Sequence, residues 1–301
     1  MTTTEPGQHT VCYRHKNIET AVSCSDCGKP ICPDCMVFGP VGIRCPDCSG
    51  QREASAQRNR PRPSVRSLAA SGSSDIVTRA MVGLIVLIYV AQVAESGDIS
   101  GAGDVFISPS GDINGTAELF TNGALYGPAV NDGEWWRLVT SAFLHSGPIH
   151  LFFNGLILWW FGRSLESLVG SRRFLSIYLI SMLAGAAGAL LFSPNSFTVG
   201  ASGAVFGVLG AGLVLERRGI MVFGGAALPI VAFNVVLSFV IPRISIGGHL
   251  GGLVGGAVVI LILSRLGRSN PAYTRITAPV VVGLIAVAVA SVLIAYLRVS
   301  A

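Results

Sequence analysis

Charge is scarce in this chain. Asp, Glu, Lys and Arg make up 12% of its 301 residues, against 51% that are hydrophobic. Acids thin out further along it, and beyond Glu134 the only carboxylates are Glu166 and Glu216. Cysteine stops at Cys48, so all thiol chemistry belongs to the N-terminal segment. So low a charge content excludes an ordinary soluble globular protein and leaves a polytopic membrane protein with a polar attachment. The lack of acids excludes an aspartyl dyad and a Ser-His-Asp triad, because Glu166 and Glu216 fall at the far ends of their apolar runs from the candidate residues named below. It also argues against a proton-coupled carrier, which normally needs buried carboxylates. No His-Glu-x-x-His helix is present, so a metal-dependent peptidase of that kind is excluded too.

What is abundant is apolar sequence and glycine. Runs long enough to cross a hydrocarbon core, roughly 20 residues each, begin near Ile76, Ile149, Phe174, Ser202, Ile220, Ile246 and Thr277. They predict an all-α membrane domain over residues 76–301 with seven spans. If the N-terminus is cytoplasmic, only Arg137, Arg243 and Arg298 of the 21 Lys and Arg residues fall outside. Arg172/Arg173, Arg217/Arg218 and Arg265/Arg268 fall inside with the rest. This asymmetry predicts a multi-pass protein of a bacterial plasma membrane, with a cytoplasmic N-terminus and an extracytoplasmic C-terminus. The net charge of +5 is then a matter of topology, not of nucleic-acid binding. The first 75 residues hold no apolar core with a cleavage site, so the first span is expected to double as the insertion signal. The loop from Ser96 to Gly147 is long and acidic and is expected to lie outside, against the bilayer surface.

Polar residues inside such spans are costly to keep and mark function. Ser202 stands in Gly200-Ala201-Ser202-Gly203 at the head of the fourth run, and His249 stands in Gly247-Gly248-His249-Leu250-Gly251-Gly252 near the head of the sixth. His150 and Asn154, four apart on one helical face, stand near the head of the second. In the orientation above, all three spans run from outside to inside, so the four residues share a depth near the outer leaflet. A serine and a histidine at one depth with no acid suggest hydrolysis by a Ser-His dyad. Two neutral donors beside them could hold a developing oxyanion, worth about 3–4 kcal/mol per good donor. Gly248, Gly252 and Gly256 form a small-residue ridge, and Gly203, Gly207 and Ala211 form another, which would let the two helices approach backbone to backbone. Phe206, one turn beyond Ser202, is placed either to pack against the imidazole of His249 or to fill the core. Trp135 and Trp136 read as interfacial anchors and Arg137 as a headgroup contact.

Residues 1–50 carry a separate constellation: Cys12-x2-His15, Cys24-x2-Cys27, Cys32-x2-Cys35 and Cys45-x2-Cys48. Four close pairs supply eight ligands, enough for two tetrahedral structural zinc ions. A disulfide framework is the weaker reading, because seven thiols cannot all pair and the segment is expected in a reducing compartment. So small a domain cannot bury enough apolar surface unaided, so zinc would supply its folding free energy. The spacing resembles B-box zinc fingers. That resemblance implies Cys12, His15, Cys32 and Cys35 at one ion and Cys24, Cys27, Cys45 and Cys48 at the other, with sequential pairing as the alternative. Acids and bases balance over residues 9–50, so a cytoplasmic protein is a better partner than nucleic acid. Residues 51–75, with Arg52, Arg58, Arg60, Arg62 and Arg66 among Pro, Ser and Ala, read as a disordered basic linker beside the anionic inner leaflet.

Trp136-Arg137, the segment His145 to Asn154, Gly200-Ala201-Ser202-Gly203 and His249-x2-Gly252-x3-Gly256 together resemble the rhomboid family of intramembrane serine proteases. The resemblance implies a six-helix bundle, here with a seventh C-terminal span, and needs no cofactor for catalysis. It implies Ser202 as nucleophile, His249 as general base, and His150 and Asn154 on the oxyanion side. It also implies a structural Glu166 at the cytoplasmic end. Ser141 stands where many relatives place histidine, and Phe206 where tyrosine is frequent. The expected function is endoproteolysis of membrane-anchored proteins near the extracytoplasmic face, with transmembrane helices as substrates and the bilayer as medium. The alternative is a non-catalytic adaptor that binds client transmembrane helices and recruits a cytoplasmic partner through the zinc module.

Overall fold

The computed structural model describes residues 10–38, 42–49, 75–103, 105–107, 113–115, 117–241, 244–265 and 278–300. The basic linker read from the sequence falls, apart from Asp75, outside the described residues, as do Arg243 and Arg268. The chain divides into two units, Met1–Ser71 and Gly72–Ala301.

The first unit is built from turns. Strands β1 (Thr10–Val11) and β2 (Glu19–Thr20) pair antiparallel, as do β3 (Val37–Phe38) and β4 (Ile43–Arg44). A single 3-10 turn, Pro33–Cys35, separates the hairpins. Its core is Ile31 and the cysteines themselves, with Cys12, Cys24, Cys32, Cys35 and Cys45 all buried. An apolar core of that size cannot hold so short a fold, and the thiols occupy the place where larger hydrophobes would otherwise sit.

The second unit is helical. Helix α1 (Ile76–Ser96) leads to a small hairpin, β5 (Val105–Ile107) and β6 (Ile113–Gly115), then to short helices α2 (Glu118–Gly123), α3 (Gly127–Asn131) and α4 (Arg137–Thr140). Helix α5 (Pro148–Ile157) continues through a π-helical stretch, Leu158–Gly162, into α6 (Arg163–Val169). Then follow α7 (Ser171–Phe192), α8 (Ser202–Arg217), α9 (Ala227–Val240), α10 (Ile246–Arg265) and α11 (Ala278–Val299).

Among the described residues, four of the seven expected runs form helices long and apolar enough to cross a membrane: α1, α7, α10 and α11. The run at Ile149 is helical from Pro148 to Val169 but interrupted by the π-helical stretch, and the remaining two form the shorter α8 and α9. The run expected from Ile220 starts its helix only at Ala227, and the cause is local. The Glu216 carboxylate accepts the backbone N–H groups of Phe223, Gly225 and Ala227, which holds the intervening residues as a turn. Gly224 and Gly225 complete that turn at φ of +68° and +88°. Glu166 plays a matching part, accepting from Val77 N–H, Thr78 N–H, the Thr78 hydroxyl and the Ser171 hydroxyl, and so ties α1 to the α6–α7 corner. Asp75 pairs with Arg79 and Arg163 beside it. Its burial would raise the carboxyl, but the hydrogen bonds from the two guanidinium groups outweigh that and hold it below the ordinary range.

Glycine decides how the central helices meet. Along α10, Gly247 and Gly251 lie against α7, where a Cβ would fall 2.2 Å from the Gly188 carbonyl oxygen and 2.3 Å from that of Ala184. One residue on, Gly252 and Gly256 lie against α8, with a Cβ 1.9 Å from the Gly203 oxygen and 2.0 Å from that of Gly207. The expected ridges of α8 and α10 therefore meet at Gly203 with Gly252 and at Gly207 with Gly256, while a Cβ on Gly248 would face Ser245 and, on α7, Ala189 instead. A second α10 ridge, not expected from the sequence reading, packs on α7. Large apolar side chains of α1, α5, α9 and α11, including Leu87, Phe152, Phe239 and Leu297, remain exposed, as suits helices that face lipid.

Candidate active site

The loop between α7 and α8 is held before the chain turns into Ser202. Leu125 and Thr198 exchange backbone hydrogen bonds at 3.0 and 2.9 Å, Gly127 N–H donates to the Pro194 carbonyl, and Gly200 N–H donates to the Ser141 carbonyl at 2.9 Å. Gly200 takes φ +119°, and a Cβ there would lie 2.7 Å from His150 Nε2 and 3.8 Å from Asn154 Nδ2. The imidazole of His150 thus sits directly beneath the Gly200-Ala201-Ser202 turn, with Asn154 beside it. His150 Nδ1 is 3.2 Å from the Ser146 hydroxyl. Asn154, buried in the second turn of α5, gives one amide hydrogen to the His150 carbonyl at 3.0 Å and keeps its other hydrogen free of any partner among the described residues.

Ser202 is the first residue of α8 and His249 the fourth of α10. Gly203, which follows Ser202, lies against α10: its Cβ would fall 3.5 Å from the carbonyl oxygen of Gly248, the residue before His249. Phe206, one turn beyond Ser202 on the same face, stacks on the His249 ring at 4.0 Å between centroids and 17° between planes. Both placements expected for Phe206 are found, since it is buried in the core and packs on the imidazole. His249 Nδ1 lies 2.6 Å from the Ser238 hydroxyl of α9. Among the described residues neither Ser202 Oγ nor His249 Nε2 has a hydrogen-bond partner. A cavity of about 30 Å³ opens beside Ser202, lined among others by Ser141, Thr198, Gly200, Ser245 and Gly248. It has room for about one water molecule.

Three residues that organise this region escaped the sequence reading or were misread. Arg137 is not a headgroup contact: it is 2% exposed and donates to the Thr121 and Ala124 carbonyls at 2.6 and 2.8 Å, while pairing with Glu134. Its five donors satisfy carbonyls that the short helices leave open, which outweighs solvation at the surface. Gln92 of α1 is fully buried, and its amide bridges the His145 backbone N–H and carbonyl. Ser238 is the third. A polar residue inside an apolar span was the available signal for Gln92 and Ser238 alike. Trp136 is half exposed, as an interfacial anchor should be, while Trp135 packs on Tyr296 of α11 at 5.7 Å.

In the N-terminal unit the eight expected ligands gather into two groups of four, Cys12/His15/Cys32/Cys35 and Cys24/Cys27/Cys45/Cys48, each with its donor atoms within 4.8 Å of one another. This is the interleaved arrangement, not the sequential one. The donor set fits a tetrahedral dication. His15 turns Nδ1 to Cys32 and Cys35 Sγ at 3.2 and 3.4 Å, and Cys27 and Cys45 Sγ lie 3.7 Å apart, close to the tetrahedral edge implied by metal–sulfur bonds of about 2.3 Å. Backbone N–H groups of Cys45 and Cys48 point at the sulfurs of Cys24 and Cys45. Crowding has an electrostatic cost here. Burial, followed by hydrogen bonds that its S–H gives to Cys12 and Cys32, pushes the Cys35 thiol up to about 12, and hydrogen bonding to Cys27 and Cys45 pushes Cys48 up to about 12. The three thiols of one cluster and the four of the other cannot all ionise unless a cation stands among them.

Comparison with known proteins agrees with this architecture. Residues 132–266 match the family model described as the Rhomboid domain. The chain is 41% identical over 138 residues to rhomboid protease GluP of Bacillus subtilis, an alignment covering 44% of this chain and 27% of GluP. It is 34% identical over 164 residues to RHOMBOID-like protein 5 of Arabidopsis thaliana, covering 50% of this chain and 52% of that protein. The chain thus spans only part of these relatives. YdcA of Bacillus subtilis, also named for the rhomboids, is 39% identical over 136 residues, which is 44% of this chain and 68% of YdcA. With four helices of spanning length, the Rhomboid-domain match and 39% identity to a relative covered over two thirds of its length, this multi-pass membrane protein belongs to the rhomboid family.

Proposed function

We propose that this chain is an intramembrane serine endopeptidase that cuts membrane-anchored proteins near the extracytoplasmic face. Ser202 attacks the scissile carbonyl, and His249 takes the serine proton through Nε2 and returns it to the leaving amine. The free amide hydrogen of Asn154, His150 Nε2 and the backbone N–H at the head of α8 receive the oxyanion. The observation that carries this reading is the convergence of three separate helices on one turn: His150 and Asn154 under Gly200, and His249 stacked on Phe206 one turn from Ser202.

The orientation follows from the distribution of arginine. Arg217 and Arg218 close α8 at the cytoplasmic surface. A helix of 16 residues is only about 24 Å long at 1.5 Å per residue, short of the roughly 30 Å of a hydrocarbon core. Ser202 therefore lies below the outer boundary, reached by water from that side. A substrate helix must unwind locally to present its backbone there, so spans weakened by small or helix-breaking residues are favoured. The N-terminal unit, on the cytoplasmic side of a bacterial plasma membrane, binds two structural zinc ions and serves as a docking module for a cytoplasmic protein.

The test is labelling by a fluorophosphonate, together with cleavage of a reporter transmembrane protein, by wild type, Ser202→Ala and His249→Ala in detergent. Wild type should label and cleave, and each variant should do neither while remaining folded. Cleavage by purified Ser202→Ala would sink the assignment. A wild type that binds the reporter span without cutting it would favour the adaptor.

A further inference from the structure

Helix α9 has no part in the mechanism above, yet it touches the proposed base. Its sequence, Ala-Leu-Pro-Ile-Val-Ala-Phe-Asn-Val-Val-Leu-Ser-Phe-Val, is apolar except for Asn234 and Ser238. Ser238 is 3% exposed, and its Oγ lies 2.6 Å from His249 Nδ1 and 2.8 Å from the Asn234 carbonyl oxygen. A hydroxyl has one proton, and a carbonyl oxygen can only accept. The proton of Ser238 therefore points along its own helix to Asn234, one turn back, and Ser238 Oγ accepts from His249 Nδ1–H. An imidazole protonated at Nδ1 keeps its lone pair at Nε2, the nitrogen that has no partner among the described residues.

In Ser-His-Asp enzymes a carboxylate holds this tautomer. No acid serves here, since Glu166 is taken up by Val77, Thr78 and Ser171 and Glu216 by the head of α9. We propose that Ser238 is the positioning residue that stands in the place of the triad acid, fixing the tautomer and ring plane of His249 through Nδ1. The assignment rests on the protease reading for its consequence, but the Ser238–His249 bond does not. Being neutral, Ser238 orients the base without countering the positive charge the base gains, so its removal should cost less than the roughly 10⁴-fold loss seen when a triad carboxylate is replaced. The bond also makes the base sensitive to where α9 sits. Only Ala227, Val231 and Ser238 of that helix are buried.

The test compares Ser238→Ala, Ser238→Thr and Ser238→Val in the full-length protein, with two readouts. The first is kcat and KM for the reporter transmembrane protein. Ala and Val should lower kcat about 10- to 100-fold, within the range for a mispositioned general base, with KM changed less than about twofold, and Thr should restore most of the rate. Thr and Val have the same shape, so a difference between them reports the hydroxyl and not packing. The second readout is the ¹⁵N NMR signature of ring-labelled His249, which should show Nδ1–H in wild type and lose that preference in Ser238→Ala. Wild-type kcat in Ser238→Ala, or a wild-type ring protonated at Nε2, overturns the proposal. If Thr fails to fold, Ala and the spectrum still decide. A wild type that shows the Nδ1–H ring but cuts nothing would count against the protease reading alone.

Discussion

Gly200 bears more of the site than its size suggests. At φ +119° an L side chain is strained by about 1–2 kcal/mol, and a Cβ would fall 2.6 Å from the His150 ring. Gly200→Ala should therefore displace His150 from the Ser202 turn. We expect fluorophosphonate labelling of this variant to fall at least tenfold, while circular dichroism still reports a folded protein. Wild-type labelling would show that His150 is not needed where it stands. Asn154→Ala has a different signature. It removes one oxyanion donor and leaves the nucleophile and base intact, so kcat should drop about 10²–10³-fold and remain measurable, whereas Ser202→Ala should give no turnover. Loss to the level of Ser202→Ala would mean that Asn154 does more than donate a hydrogen bond.

Between elements, the deciding contacts are backbone to backbone. α10 is wedged between α7 and α8 along two adjacent glycine ridges, and membrane helices that approach this closely gain van der Waals contact that bulkier residues would prevent. Gly252→Ala would place a methyl 1.9 Å from the Gly203 carbonyl oxygen, and only a shift of α10 away from α8 can relieve that. The melting temperature in detergent should fall and labelling of Ser202 with it. Gly83→Ala in α1 is the matched control, because nothing lies within 4 Å of its Cβ and alanine is the better helix former. If both variants behave alike, the ridge is not what sets the distance between Ser202 and His249. Glu216 acts at the same scale. Glu216→Gln keeps one acceptor oxygen but brings in an amide that cannot accept, so at least one of the three N–H groups at the head of α9 is orphaned, at about 1–3 kcal/mol. Faster proteolysis at Met221 to Ala226 than in wild type would register that loosening.

At the scale of the whole molecule, two units are stabilised by unrelated means. The membrane unit rests on helix packing in lipid, the N-terminal unit on its ligand clusters. Metal analysis of the full-length protein should return two zinc ions per chain, one per cluster of four, and Cys24→Ser should remove one and leave the other. Because thiolates must be deprotonated to bind, a strong chelator or low pH should strip the ions and unfold that unit. Membrane catalysis should survive chelation when residues 1–70 are removed, since no metal enters the proposed chemistry. A single ion per chain would contradict the interleaved clusters, and chelator-sensitive cleavage by the shortened protein would point to a metal in the bundle.

Much of this was written in local pattern. The shortage of charge marks the membrane unit, the four Cys/His pairs mark the ligand unit, and Ser202, His249, His150 and Asn154 stand out as polar residues at helix heads within apolar runs. Spacings of four make Gly248, Gly252 and Gly256 a ridge wherever a helix forms, so close packing of α10 was legible before any partner was known. Which surfaces meet was not legible. Arg137 looks like a headgroup contact until the carbonyls of Thr121 and Ala124 surround it, and Ser238 is one hydroxyl in an apolar helix until α9 brings it to His249. The partner of the Gly247 and Gly251 ridge and the late start of α9 at Ala227 are likewise settled by contacts between elements. Periodicity along a chain reports the face a helix presents, because side-chain direction repeats with the backbone. The neighbour that fills that face depends on how all the helices pack at once, and only the tertiary structure decides it.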